Sequence, residues 1–256
     1  MTTRRNHLRL HLLGAALLAA GAIGSAQAQS DTVKIGLILP MTGPFASTGK
    51  QIEAAARLWM AQNGTSVGGK KIELVLKDDA GIADTTRRLA QELVVNDKVV
   101  ALAGFGLTPL ALAAAPVATQ GKTPLVVMAA ATSSITEASP WIVRTSFTLP
   151  QATVGIAEWA AKNKITKVVS LVADYGPGID AEKFFVQRFT EHGGTVIDKL
   201  RTPMRSPDFA PVLQKVRDEK PDAVFVFLPS GQGTAFMKQF AERGLDSSGH
   251  LLDRKM

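Results

Sequence analysis

The chain contains no cysteine, which excludes disulfides, thiolate metal sites, a cysteine nucleophile and a lipidated cysteine anchor together. Histidine is scarce, at four residues. Two of these, His7 and His11, lie in the N-terminal segment, and His192 and His250 read as members of polar turns. None belongs to a nucleophile-bearing pattern, and no Gly-x-Ser-x-Gly elbow, phosphate-binding P-loop or His-Glu-x-x-His helix occurs. There is a single tyrosine, Tyr175, and aromatics make up 6% of the chain without interleaving with basic residues, so single-strand nucleic-acid binding is not indicated. The formal charge of +7 comes partly from Arg4, Arg5 and Arg9 and is otherwise spread evenly, so no nucleic-acid partner is expected.

Long apolar runs are absent except near the start. Met1 to His11 is basic without an acidic residue, Leu12 to Ile23 is apolar, and Ala26-Gln27-Ala28 has a small-x-small cleavage pattern. Residues 1–28 therefore read as a cleavable secretory signal peptide, with the mature chain starting near Gln29. The Arg4-Arg5 pair loosely resembles a twin-arginine signal, although basic leaders often place two arginines side by side. No later stretch approaches the ~18 apolar residues of a membrane span, so no membrane anchor is expected in the mature form. What remains, about 230 residues, can form one large or two small domains.

Strand-like runs lie at Val33–Leu39, Ile72–Leu76, Val99–Ala103, Leu125–Met128, Val168–Val172, Thr195–Leu200 and Ala223–Leu228. Most are continuously apolar, as in parallel sheets covered on both faces. Helical stripes separate them: Ile52, Ala55, Ala56 and Trp59 on a helix from Gln51; Leu89, Ala90, Leu93 and Val94; Phe209, Val212, Leu213 and Val216. Such alternation predicts βαβ units. The plan is used twice. Strand, Gly43-Pro44, helix, Gly68-Gly69, strand, helix, strand and Gly104-Phe105-Gly106 in the first half match strand, Gly176-Pro177, helix, Gly193-Gly194, strand, helix, strand and Gly231-Gln232-Gly233 in the second. The expected fold is α/β, with two similar Rossmann-like lobes on parallel central sheets, at 29–145 and 146–256, joined by a crossover near Arg144 to Gln151. In the second copy the fourth strand would begin at His250, where the chain turns charged in Asp253-Arg254-Lys255-Met256. This lobe is expected to be truncated, without that strand.

Ligands in open α/β sheets bind at the carboxyl ends of strands. There lie Thr42 to Thr48, Gly104 to Thr108, Ala129 to Ser133, Asp174-Tyr175-Gly176 and Leu228 to Gly231: small residues, hydroxyls and glycines, suited to binding by backbone N–H groups and hydroxyls in an apolar cleft, without acid/base chemistry. The plain alternative for each Thr or Ser is a helix N-cap, and Thr108 before Pro109 fits that role. Asp78-Asp79 lacks a third metal ligand and reads as a solvated strand end. Gly104-Phe105-Gly106 resembles half of a dinucleotide fingerprint, but Pro109 stands at the third glycine and no acidic residue follows at the ribose position, so no cofactor is expected. Phe184, Phe185 and Phe189 read as core.

From Lys34 to Leu245 the chain resembles the periplasmic solute-binding proteins of branched-chain amino acid ABC transporters, the leucine/isoleucine/valine-binding type with the type I periplasmic binding fold. The resemblance rests on Gly-Leu-Ile-Leu-Pro-Met-Thr-Gly-Pro at 36–44, Gly104-Phe105-Gly106 with Thr108-Pro109, Ala-Ala-Ala-Thr-Ser at 129–133, Ala173-Asp174-Tyr175-Gly176 and Asp222-Ala223-Val224-Phe225. It implies a periplasmic, non-enzymatic binder that closes two lobes on a small ligand and delivers it to a membrane permease. It also implies that Thr108 and Thr132, with backbone at Leu107, Ala130 and Ala131, hold a ligand carboxylate, that Thr48 faces the cleft, and that Tyr175 covers the ligand. Leu107, Phe45, Phe105 and Phe147 leave room for the relatives that bind aromatic carboxylates or amides. A ligand-sensing regulatory lobe of the same fold and a periplasmic enzyme are the remaining alternatives.

Overall fold

The structure is a computed structural model that describes residues 32–205, 207–229 and 231–246, together with the backbone of 250–253. The expected signal peptide lies outside the described residues. Seven α-helices and ten strands alternate among those described: β1 (Thr32–Leu39), α1 (Ala46–Asn63), β2 (Ser66–Val67), β3 (Lys70–Asp78), α2 (Ala83–Val95), β4 (Ala101–Gly104), α3 (Thr108–Gly121), β5 (Leu125–Val127), a 3-10 turn (Ser133–Ala138), β6 (Ile142–Arg144), α4 (Leu149–Lys162), β7 (Lys167–Ala173), α5 (Gly176–Glu191), β8 (Thr195–Thr202), α6 (Ala210–Glu219), β9 (Ala223–Phe227), α7 (Gln232–Glu242) and β10 (His250–Asp253).

These strands form two sheets. The first has the order β2-β3-β1-β4-β5-β6 and the second β10-β9-β7-β8. All pairs are parallel except β2 with β3. The internal repeat is visible in the topology: β1 lies between β3 and β4 as β7 lies between β8 and β9. In each lobe the chain moves outward from its first strand and then returns past it. The strand order therefore reverses beside β1 and beside β7, and the crevice at such a reversal is where open α/β sheets bind ligands.

Each sheet buries apolar side chains on both faces, which explains the continuous hydrophobicity of β4, β7 and β9. In the first lobe α2 and α3 enclose a core built on Leu93, Leu102, Leu110 and Leu125. In the second, α4 and α5 cover one face, where Phe185 stacks on Phe225 at 4.0 Å between centroids and on Phe189 at 5.3 Å. The other face packs Phe209, Leu213 and Phe236 from the α6 and α7 side. The buried Glu182 of α5 accepts hydrogen bonds from Arg201 Nη2 at 2.8 Å and Ser170 Oγ at 3.3 Å, which fastens α5 to β8 and β7.

Several expectations are corrected. The strand expected to be missing is present as β10, parallel to β9 over His250–Asp253, so His250 begins a strand rather than sitting in a turn: four residues suffice to make the ladder. Helix α1 starts at Ala46, not Gln51, and its expected stripe is not a core face. Ala55 and Trp59 are exposed, Ile52 and Ala56 half-buried, and Gly49 alone in the helix is buried, because only one edge of the helix rests on the sheet. Phe184 is half-buried beneath Lys183, since neighbours in a helix point about 100° apart. Asp78 and Asp79 are not merely solvated. Asp78 accepts from Met41 N at 2.8 Å and Thr42 Oγ1 at 2.6 Å, and the fully buried Asp79 accepts from Gly81 N and Thr86 Oγ1, pinning the loops around it.

Candidate functional site

The loops after β1 and β4 face the loops after β7 and β9, so the two reversals look into one cleft. At the end of β4 the backbone turns through Gly104 (φ +113) and Phe105 (φ 63). A side chain at Gly104 would meet the Ile38 carbonyl at 2.3 Å, and only glycine allows β1 and β4 to approach this closely. Phe105 then donates its N–H to Ile38 O at 3.0 Å and accepts from Ala130 N at 3.1 Å. One buried residue thereby joins β1 to the 129–131 loop and aims Leu107 and Thr108 at the cleft.

Thr108 is the first residue of α3, after Leu107 as N-cap, and no side chain caps this helix. Its hydroxyl lies 2.8 Å from Thr132 Oγ1 in a site where Thr108 is 3% exposed. The capping role is therefore not the one it plays: two hydroxyls from separate loops converge instead. Leu149 N donates to Ala131 O at 2.9 Å, tying this loop to the start of α4. The space between them, about 70 Å³, is bounded from the first lobe by Thr48, Gly106, Leu107, Thr108 and Ala129 to Ala131. From the second lobe come Tyr175, Pro177, Phe227 and Pro229. Among the described lining residues there is no carboxylate, ammonium, guanidinium or imidazole.

The structure thus brings together all seven residues picked from sequence. Thr48, Leu107, Thr108, Ala130, Ala131 and Tyr175 line the cavity, and Thr132 is bonded to Thr108 at its edge. Thr48 arrives from the first turn of α1 rather than from a loop. Tyr175, the extended N-cap of α5, packs against the cores of both lobes. The expected aromatic neighbours do not take part: Phe45 and Phe105 are core, and Phe147 points to solvent. Phe227, at the end of β9, supplies the aromatic wall instead. It was missed because β9 is apolar throughout, and position in a strand does not reveal which residue ends it at the cleft.

Arg144 was also missed. From the end of β6 its Nη2 donates to the Thr132 carbonyl at 2.5 Å. Burial lowers its pKa from the ordinary value, and attraction to Asp180 opposes that shift. A larger cavity, about 430 Å³, lies at the opposite pole of the second lobe among Val216, Arg217, Lys220 and Arg243. It sits at the amino end of β9, away from both reversals, so the smaller interlobe cleft is the candidate site.

Comparison with known proteins agrees with this geometry. The family profile described as "Periplasmic binding protein" matches residues 32–252. The chain belongs to this family. Among curated relatives, Leu/Ile/Val-binding protein homolog 6 of Brucella abortus is 46% identical over 235 residues, which are 91% of this chain and 60% of the relative. Among solved structures, a solute binding protein of an ABC transporter from Rhodopseudomonas palustris BisB5, in complex with 3,4-dihydroxy benzoic acid, is 62% identical with a TM-score of 0.85, over 87% of this chain and 62% of that one. Another from Rhodopseudomonas palustris HaA2, in complex with p-hydroxybenzoic acid, is 43% identical with a TM-score of 0.84, over 87% and 61%. The chain spans about three fifths of the length of these relatives.

Proposed function

We propose that the protein is the periplasmic solute-binding component of an ABC importer, exported through the residue 1–28 leader, and that it delivers a small carboxylic acid to a membrane permease. The observation that carries this reading is the confrontation of two strand-order reversals across one cleft. The first lobe presents the hydroxyls of Thr108 and Thr132 at the start of α3, where the helix dipole favours an anion. The second lobe presents Tyr175, Phe227 and two prolines, an apolar wall with one polar tip. A carboxylate seated on the first lobe leaves its body to be desolvated by the second. Closure then follows from better binding in the closed arrangement. A cavity of about 70 Å³ is far below the ~300 Å³ and more of typical ligand pockets, so seating a ligand calls for a wider separation of the lobes.

Hydroxylated benzoates are the first ligands to test. Two similar solved structures hold such acids, and Tyr175 and Phe227 give the second-lobe side of the cleft an aromatic wall. Branched-chain amino acids are the second reading, favoured by the Leu/Ile/Val-binding name of the 46% identical relative. Thermal unfolding of the full-length protein against 4-hydroxybenzoate, 3,4-dihydroxybenzoate, leucine, isoleucine and valine decides between them. A ligand that binds only the folded state raises the midpoint by mass action. The expected result is a dose-dependent rise with the benzoates; a rise confined to the amino acids makes the second reading correct, and no rise with any of them removes the small-carboxylate assignment.

A further inference from the structure

The peptide unit between Thr132 and Ser133 is held from both sides. Arg144 Nη2 takes its carbonyl at 2.5 Å. Asp180 takes its N–H, with Oδ2 2.8 Å from Ser133 N, and Oδ1 also accepts from Ser133 Oγ at 3.1 Å. Thr132 and Ser133 belong to the first lobe, Arg144 to the strand that leads out of it, and Asp180 to α5 of the second lobe. Helix α5 is fastened within its own lobe by Glu182 to Arg201 and Ser170, and by Arg188 to Glu158 of α4. The Asp180 contact therefore reports how the lobes sit rather than a loose helix. One glycine allows a close approach of the lobes at another pair of loops: a side chain at Gly231 would strike the Pro44 carbonyl at 2.8 Å, whereas one at Gly176 would only reach ordinary contact with Thr132 Oγ1 at 3.5 Å.

We propose that Asp180 is the latch of the closed state: a positioning residue that engages Ser133 only when the lobes come together and, through the Thr132–Ser133 peptide, orients the Thr132 hydroxyl toward the ligand. The proposal deepens the reading of the cleft as a solute site and rests on it. Closure and site assembly become one event, because the group that locks the lobes and the group that binds the carboxylate share a peptide bond. A bidentate charge-assisted contact is among the stronger hydrogen-bonded arrangements available to a carboxylate. It lies outside the described cavity lining, so its loss changes how long a ligand stays more than which ligand is chosen.

The test compares wild type with Asp180→Ala, Asp180→Asn and, on the opposite lobe, Ser133→Ala. Dissociation rates are measured for 4-hydroxybenzoate, 3,4-dihydroxybenzoate and leucine, and hydrogen exchange is followed at the Ser133 amide with and without ligand. Asp180→Ala is expected to speed dissociation and Ser133 exchange about tenfold, with the ranking of ligands unchanged. Asp180→Asn keeps an acceptor for the N–H and a donor for the hydroxyl, and is expected to return both readouts to within about threefold of wild type. Ser133→Ala, which deletes the hydroxyl contact alone, should fall between them and serves if Asp180→Ala does not fold. Wild-type dissociation and exchange in both Asp180→Ala and Ser133→Ala overturn the latch, as does failure of Asp180→Asn to rescue. If none of the three ligands binds wild type, the solute reading fails separately, and the Ser133 amide still decides whether the latch forms.

Discussion

Thr132 carries more of the site than its small side chain suggests, because its hydroxyl, its carbonyl and the next N–H are all engaged. Replacing it with alanine removes a half-buried hydroxyl that, in the proposed solute site, faces the ligand carboxylate. Thr132→Ala is therefore expected to weaken ligand binding by about 1–3 kcal/mol, measured by titration calorimetry with the acid that shifts the melting midpoint most, and to lower the unliganded midpoint modestly, because the buried Thr108 hydroxyl loses its partner. Asp222 is the structural counterpart. Its Oδ2 accepts from Thr166 N, Thr166 Oγ1 and Lys167 N at 2.8–2.9 Å. The Thr166 and Lys167 amides and the Thr166 hydroxyl hold its pKa below the ordinary aspartate value. With the folded value depressed, its stabilisation is complete above the unfolded range near pH ~4 and is lost as pH falls through the folded value. The melting gap between wild type and Asp222→Asn should accordingly be widest above about pH 5 and close on acidification.

The elements fold as they do because two periodicities are clear and a few contacts are severe. Strand β9 is buried at every position from Ala223 to Phe227, and Phe225 anchors the stacked Phe185 and Phe189. Phe225→Ala should cost about 3–5 kcal/mol in denaturant unfolding, from lost transfer energy plus the cavity left behind. Helix α5 starts where Gly178 passes so close that a side chain would meet the Ala173 carbonyl at 1.9 Å. Gly178→Ala must therefore push α5 off β7, and is expected to lower the melting midpoint and weaken ligand binding together, since Tyr175 and Asp180 ride on this helix. Heat unfolding with and without ligand separates this outcome from a purely local effect. Helix α1 shows the limit of periodicity: its apolar stripe is real, yet Trp59 is 56% exposed, because a pattern states which face is apolar and not how much of it finds a partner.

At the scale of the molecule, the shared cleft follows from the duplication, since two copies of one strand plan set two reversals face to face. Deleting the contact between them should leave each lobe folded while loosening the ligand, so a Thr132→Ala and Asp180→Ala double variant should lose less affinity than the sum of the singles if both act through one peptide. Binding energies from the four-way comparison check this coupling. The repeat, the parallel sheets and the loops that end at the cleft were legible along the chain, because continuous apolar strands, glycine-rich turns and hydroxyls at strand ends are local signals, whereas the seven residues within those loops came from the family resemblance. Phe227, Arg144 and Asp180 were not legible, for each is an ordinary residue in a strand or helix until the lobes meet. The sequence by itself determined the two-lobed α/β plan and which loops end at the cleft. Only the tertiary structure decided that Thr108 pairs with Thr132 rather than capping its helix, that Phe105 belongs to the core, and that a second-lobe carboxylate grips the first, because these depend on groups 24 to 47 residues apart whose approach no local pattern encodes.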